Sequence, residues 1–290
     1  MFTPLEDCHP SNGKACLPLR RGRLVASHGA FSNGVKIMDE FDIKLDSALR
    51  LLREAEIVTA FTGAGISTES GISDFRSPGG VWDRYRIVTY QEFLSSHESR
   101  VEYWSMKKEL FREMRGARPN MAHKALAQIE RTGKLRCIIT QNIDGLHQDA
   151  GSSQDIVIEL HGTNRKAICL NCRKSWPIEK IQVRLEKGEI DPKCEHCNGL
   201  VKPATVSFGQ PMPEHEMHRA YECVRNCSVL LMIGSSLQVE PAASIPREAY
   251  NASARLIFIN HTETQWDHLA AVVFRENAGE VLGALVDRLS

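Results

Sequence analysis

A parallel α/β fold is predicted by three observations. First, short apolar runs recur along the chain, and each ends in small or polar residues. They are "EIVTAF" before Thr62-Gly63, "LRCIIT" before Gln141-Asn142, "DIVIEL" before His161-Gly162, "ATVSF" before Gly209, "SVLLMI" before Gly234-Ser235 and "ARLIFI" before Asn260-His261. Second, these runs are rich in β-branched and large apolar side chains without strict alternation, the pattern of strands buried on both faces. Third, helical patterns fall between several of them: "NMAHKALAQIERTG", "EMHRAYECVRN" and "AGEVLGALVDRL". Strands alternating with helices predict a doubly wound, Rossmann-like parallel sheet.

Taken in order, residues 1–44 lack periodicity and are rich in Gly, Pro, Ser and Asn, with basic residues at Arg20, Arg21 and Arg23. They read as a poorly ordered extension, with a transit-type segment as the alternative. "DSALRLLRE", Asp46 to Glu54, has Leu and Ala at helical spacing and reads as a helix. Two segments then break the alternation. Residues 77–115 are aromatic-rich and helical in pattern (Trp82, Tyr85, Tyr90, Phe93, Tyr103, Trp104), and residues 162–203 carry two cysteine pairs. Together they predict a smaller zinc-ribbon plus helical domain inserted into the sheet domain, which then comprises residues 45–76, 116–161 and 204–290.

Hydrophobic residues make up 42% of the 290 and charged ones 25%, enough for a sizeable core. Lys+Arg and Asp+Glu both total 36, so no global field draws the chain to nucleic acid or an anionic membrane. No apolar run approaches the ~18 residues of a membrane span. No signal-peptide pattern opens the sequence. A cytoplasmic protein is expected, with an organellar or nuclear placement if the source is eukaryotic.

Of nine cysteines, four form Cys169-x2-Cys172 and Cys194-x2-Cys197, with 21 residues between the pairs. Two such knuckles supply four thiolates in a tetrahedron with no open position, so one structural zinc ion is expected, with free or redox thiols as the alternative. The other five (Cys8, Cys16, Cys137, Cys223, Cys227) are scattered and odd in number, which fits a reducing compartment better than a disulfide framework.

The stretch "AFTGAGISTESGISDFRSPGG", Ala60 to Gly80, opens a turn with Gly63-Ala64-Gly65 after an apolar run. Gly63 and Gly65 allow the backbone close to a ligand, and a following helix would point amides at a pyrophosphate. A hydride-transfer fingerprint would need a third glycine where Thr68 stands, and an acidic residue about 20 residues on. Instead the chain runs into Gly-, Ser- and Pro-rich sequence that looks like a loop folding over a cofactor, with Asp74 and Arg76 as its polar groups. A tight turn with no ligand is the bland alternative.

"TQNIDGLHQDAG" sets Gln141, Asn142 and Asp144 directly after a buried strand, with Ile143 facing an apolar wall. "ELHG" sets His161 at another strand end, and neutral histidine is the ordinary general base near pH 7. Taken singly these read as turn formers and a buried histidine; gathered on one sheet edge they predict a shared site. His123 and His147 read as structural helix residues.

The motifs "GAGISTESGISDFR", "TQNIDGLH", "HG" ahead of the cysteine pairs, "VSFGQPMP", "GSSLQVEPAA" and a late Ile259-Asn260 occur in one order. From about residue 45 to the end, that order resembles the sirtuin family of NAD-dependent protein deacylases. The resemblance implies cleavage of the nicotinamide–ribose bond of NAD and transfer of an acyl group, most simply acetyl, from a protein lysine to the ADP-ribose. It implies a pyrophosphate site at Gly63, Ala64, Gly65 and Ser67, with Asp74 and Arg76 on the cofactor loop. It implies a nicotinamide pocket at Ala64, Ile72, Phe75, Asn142, Ile143 and Asp144. Gln141 would meet the ribose, and Gly234, Ser235 and Asn260 the adenosine. His161 would be the catalytic base, with Asn142 beside it. The acyl-lysine peptide would lie between two strands, Val206–Gly209 (Val206, Phe208, Gly209) and Val239–Ala242 (Val239, Glu240, Pro241). The expected partners are acylated lysine proteins. Alternatives on the same fold are a mono-ADP-ribosyltransferase and a deacylase for longer chains.

This chain departs from the family pattern at Ser73, Gln210 and Glu240, where proline, glutamate and an uncharged residue are usual. Sirtuins that favour acidic acyl groups carry a Tyr-x-x-Arg pair, and Trp104 and Lys107 align there. Neutral acyl groups are therefore expected.

Overall fold

The computed structural model describes residues 39–74 and 80–289. Phe75, Arg76 and residues 1–38 of the expected extension lie outside the described residues. The first helix, α1 (Glu40–Glu54), starts six residues before the Asp46 expected from the apolar spacing. The Asp39 carboxylate caps it, accepting from the Asp42 amide at 2.8 Å, and Glu40 and Asp42 complement the dipole in its first turn.

The main sheet holds β1 (Val58–Thr62), β2 (Leu135–Thr140), β3 (Val157–Glu159), β7 (Val229–Ile233), β8 (Arg255–Ile259) and β9 (Ala270–Phe274). Its order is β3-β2-β1-β7-β8-β9 and every pairing is parallel. All residues of β1 and β7 are buried, because helices cover both faces. On one face Val58, Ala60, Leu231 and Ile233 pack with α1, α5 (Met121–Arg131) and α10 (Ala278–Leu289). On the other, Phe61, Leu230, Met232 and Phe258 pack with α8 (Glu214–Arg225) and α9 (Ile245–Asn251). The missing alternation in the sequence is thus the mark of two-sided burial. From β1 the chain steps outward to β2 and β3, then returns to β7 and steps the other way. The order therefore reverses between β1 and β7, where open α/β sheets bind ligands.

The two insertions pack on each other. Helices α2 (Val81–Arg84), α3 (Tyr90–Ser95) and α4 (His97–Arg115) come from the first. The second supplies β4 (Gly162–Cys169), β5 (Ser175–Pro177), α7 (Ile178–Glu186) and β6 (Val201–Thr205). Phe93, Trp104 and Phe111 share a core with Ile178, Ile181 and Val201. The short α6 (Leu146–Asp149) follows β2, and His123 and His147 lie on α5 and α6 as expected.

Three expectations are corrected. "ATVSF" contributes no strand to the parallel sheet: β6 ends at Thr205 and pairs antiparallel with β4, giving a three-stranded sheet β5-β4-β6. Val206 and Phe208 line a cavity instead of a sheet core, and the run alone could not tell the two sheets apart. Strand β9 had no expected counterpart. It lies at the sheet edge, where its burial is partial and its apolar signal short. Finally, Cys137 on β2 and Cys223 on α8 are joined by a disulfide across 86 residues of sequence. The strand presents Cys137 to the helix-covered face, a meeting that sequence spacing cannot show. No helix among the described residues is long and apolar enough to cross a membrane.

Candidate active site

A cavity of about 1020 Å³ opens beyond the carboxyl ends of β1, β2, β7 and β8. Its floor is the switch point. Gly63 donates its amide to Ile233 O at 3.0 Å and Gly65 to Gly234 O at 2.8 Å. A Cβ on Gly65 would stand 2.7 Å from Gly234 Cα. The glycines therefore first serve the approach of two backbones, and only Ala64, Gly65 and Thr68 of this turn reach the cavity wall. Residues Ala64–Ser70 form a single tight 3-10 segment in place of a crossover helix, ended by Gly71 at φ +82°.

Asn142, buried at the end of β2, donates its side-chain amide to Gly63 O and to Ser67 Oγ, both at 3.1 Å. Ser67 Oγ donates to Asp144 Oδ2 at 2.8 Å, and the Leu146 amide donates to Asp144 Oδ1 at 2.9 Å. Burial pushes the Asp144 carboxyl up, against the pull of these two bonds and of Arg165. Asn142, Ile143 and Asp74 line the cavity, whereas Gly63, Ser67, Ile72 and Asp144 stand behind that wall.

His161 follows β3 and lines the cavity. Its Nδ1 lies 2.8 Å from Gln141 O. A carbonyl only accepts, so Nδ1 carries the proton and Nε2 is bare in the neutral ring. Burial pushes the imidazole down from its ordinary value, and the Gln141 bond partly opposes this. The Gln141 side chain accepts from Ser235 Oγ at 2.8 Å, joining the ends of β2 and β7. Gly234, Ser235 and Asn260 line the far end, with Asn260 Nδ2 donating to Thr262 O at 2.8 Å.

Val206, Phe208, Gly209, Val239, Glu240 and Pro241 all reach the cavity. Neither stretch is a strand, however. Val206 leaves β6 with its amide on His161 O, Gln210 N closes a turn on Ser207 O, and Ala242–Ser244 is a 3-10 turn. The Glu240 carboxylate is held by Ser244 Oγ at 2.9 Å.

A further wall comes from α4, of which the sequence singles out Lys107 but not Tyr103 or Met106 as site residues. Tyr103, Met106 and Lys107 project from one face of α4, whereas Trp104 is in the core, 1% exposed. The i, i+3, i+4 spacing was the available signal. Burial pushes the Lys107 ammonium down to about 8.

The sulfurs of Cys169, Cys172, Cys194 and Cys197 all lie within 4.8 Å of one another. The Cys169–Cys197 and Cys172–Cys194 pairs are 3.5 and 3.7 Å apart. A tetrahedral zinc with ~2.3 Å bonds sets its sulfurs about 3.8 Å apart, so the donor set fits one structural ion.

A switch-point cavity lined by a half-buried histidine, beside a lobe that gathers four cysteine sulfurs, defines a nucleotide-using α/β enzyme. The Sir2 family model matches residues 63–241, and the chain belongs to that family. An NAD-dependent protein deacetylase of Thermodesulfovibrio yellowstonii is 52% identical over 244 residues, covering 84% of this chain and 94% of that one. A Sir2 structure with a p53 peptide and NAD+ superposes with a TM-score of 0.77 at 34% identity, covering 84% and 98%. A second, a variant with deacetylated p53 peptide and 3′-O-acetyl ADP ribose, gives 0.79 at 34% identity, covering 84% and 98%.

Proposed function

We propose that this chain is an NAD-dependent protein-lysine deacetylase that releases nicotinamide and passes the acetyl group to ADP-ribose. One observation carries the reading: a half-buried histidine, its Nδ1 proton fixed on Gln141 O, leaves Nε2 free in a cavity shared with the glycine-rich turn and Asn142. Acyl transfer to a ribose hydroxyl needs a base in that place, and Thr68 in place of a third glycine argues against the hydride-transfer alternative. The activity of the relative and the groups bound in the two Sir2 structures support the same reading.

In this reading NAD is a consumed substrate whose glycosidic bond supplies the reactive carbon. His161 takes the proton from a ribose hydroxyl at Nε2. Asn142 is held against Gly63 and Ser67, and with Ile143 it orients the nicotinamide end; Asp144 and Ser67 brace it from behind. The turn from Ala64 receives the pyrophosphate, and Gly234, Ser235 and Asn260 receive the adenosine. Phe75 and Arg76, outside the described residues, belong to the same cofactor segment by resemblance. An acetyl-lysine peptide enters between Val206–Gly209 and Val239–Pro241 and takes up strand pairing there. The four cysteines hold a zinc ion that ties the lobe together without joining the chemistry. Thiolates that hold zinc must stay reduced, which favours a cytoplasmic setting even with Cys137 and Cys223 paired.

The test is incubation with NAD and a panel of acylated lysine peptides, following nicotinamide and O-acyl-ADP-ribose by mass. Acetyl peptide should give both products in equal amounts. Nicotinamide release with ADP-ribose attached to protein instead would replace this reading with a transferase.

A further inference from the structure

Beneath the cavity, where β1 and β2 end against α5 and α6, two imidazoles are buried together. His123 is 0% exposed and His147 2%. Their ring centroids are 5.0 Å apart and their planes tilted by 59°. Neither reaches the cavity wall. Each uses one nitrogen: His123 Nδ1 is 3.0 Å from Asn120 Oδ1, and His147 Nε2 is 3.0 Å from Thr62 Oγ1. The other nitrogen of each, His123 Nε2 and His147 Nδ1, is buried with no hydrogen-bond partner among the described residues. Two unmet polar atoms in adjoining buried rings require an explanation.

The surrounding bonds decide where the protons are. Asn120 Nδ2 donates to Ile66 O at 2.7 Å and Ser70 Oγ at 3.0 Å, and its Oδ1 accepts from the Ala122 amide at 2.9 Å. The amide orientation is therefore set, and His123 must donate from Nδ1, leaving Nε2 bare. On the other side the Thr62 hydroxyl donates to Thr140 Oγ1 at 2.9 Å, and the Asn142 amide donates to the same oxygen at 3.0 Å. Thr62 has a single proton and has used it. His147 must then donate from Nε2, which leaves Nδ1 bare. Burial keeps both rings neutral, holding His123 down to about 4 and His147 well below its ordinary value. Two bare acceptors cannot bond to each other. They need a small molecule with two donors, and the polar, enclosed setting suits water.

We propose that one water molecule is bound between His123 Nε2 and His147 Nδ1, donating a hydrogen to each, and that it closes a hydrogen-bonded path beneath the site. The path runs from Ile66 of the glycine-rich turn through Asn120, His123, the water, His147, Thr62 and Thr140 to the Asn142 amide. Its two ends lie behind the glycine-rich turn and beside Asn142, which receive the pyrophosphate and orient the nicotinamide end of NAD in the function proposed above, on which the kinetic part of this inference rests. His123 and His147 are thus positioning residues: they act on NAD through Asn142 and the turn.

Two measurements test this on the full-length chain with its zinc. Long-range 15N NMR at pH 7 should show both rings neutral, His123 protonated at Nδ1 and His147 at Nε2. A high-resolution crystal structure should show one water within hydrogen-bond distance of both bare nitrogens. A His147 ring protonated at Nδ1, or a dry gap, overturns the water whether or not the chain is a deacetylase. Kinetically, H147F should raise KM for NAD about 10-fold while leaving KM for the acetyl peptide unchanged, and H147Q, which restores a donor to Thr62, should recover part of the loss. Equal rises in both KM values, or no recovery with H147Q, would reduce the pair to a packing role. If H147F does not fold, the NMR and crystallographic results on the unaltered chain decide alone.

Discussion

His161 Nδ1 stands 2.8 Å from the carbonyl oxygen of Gln141, and this one bond decides which nitrogen of the ring faces the chemistry. With Nδ1 committed, Nε2 is the only site for an incoming proton. Burial lowers the pKa, and the Gln141 bond raises it by less. The base works only when neutral, so activity is present above the folded-state pKa and lost as pH falls through it. The acid limb of kcat/KM for peptide should therefore lie below the ordinary histidine value of about 6.5. A limb centred at pH 7 or above would mean a different group titrates.

Removing the ring separates base from binding. His161→Ala should lower kcat by about 10²–10⁴-fold, the usual contribution of a general base. Calorimetric affinity for NAD should change little, because the turn and Asn142 are held by their own bonds. A large loss of NAD affinity with modest loss of kcat would recast His161 as a binding residue.

The contact between Gly65 and Gly234 yields a second test. A Cβ at 65 would lie 2.7 Å from Gly234 Cα and 2.9 Å from Gly234 O, both rigid backbone. Gly65→Ala must push the ends of β1 and β7 apart. Overpacking of this kind costs ~1–3 kcal/mol, so the melting temperature should fall and KM for NAD rise together. An unchanged melting curve would show that the two turns separate freely.

Where the sequence could be read, a physical reason made it readable. Strands β1 and β7 are buried throughout and β2 and β8 all but at Arg136 and Arg255, so their apolar runs stand out and their small or polar successors, Gly63, Gln141, Gly234 and Asn260, mark the strand ends. The cysteine spacing was equally direct, since two knuckles can close only on each other. What stayed hidden depends on orientation across the fold. "ATVSF" has a strand's composition, but its partner is β4, and nothing local says so. Cys137 and Cys223 meet only because β2 packs beneath α8. Asp144 has the right neighbours in sequence yet turns behind Asn142 to serve Ser67 and Leu146. Lys107 is singled out in the sequence only by alignment, together with Trp104, and the helix turns Lys107 onto the cavity wall while Trp104 goes to the core.

The thiolate cluster should be necessary for the lobe. The lobe is a short segment, and the four sulfurs come from both of its ends. Cys172→Ser should release about one zinc per chain and lower the melting temperature, because metal binding in such lobes is folding energy. Elemental analysis and a melting curve check this together. Full zinc content in the variant would exclude the four-cysteine site.

Asp191 ties the lobe to the helix that walls the cavity. Its side chain is 7% exposed and Arg100's is 11%, with Arg100 Nε at 3.0 Å from Oδ2. His97 Nδ1 and Lys193 Nζ meet the same oxygen at 3.0 and 2.7 Å. Arg100 also donates to Phe93 O at 3.2 Å, so one guanidinium joins α3, α4 and the lobe. Removing the charge strands Arg100 in a place it cannot leave. Asp191→Asn should cost about 2 kcal/mol, below the ~3–5 kcal/mol of a fully buried pair because Lys193 and His97 are partly solvated. Because α4 carries Tyr103 and Lys107, KM for peptide should rise as well, while KM for NAD stays near its original value. In a double-mutant cycle with Arg100→Gln, the coupling should be at least ~1 kcal/mol. Strict additivity of the two variants would show that the contact holds nothing together.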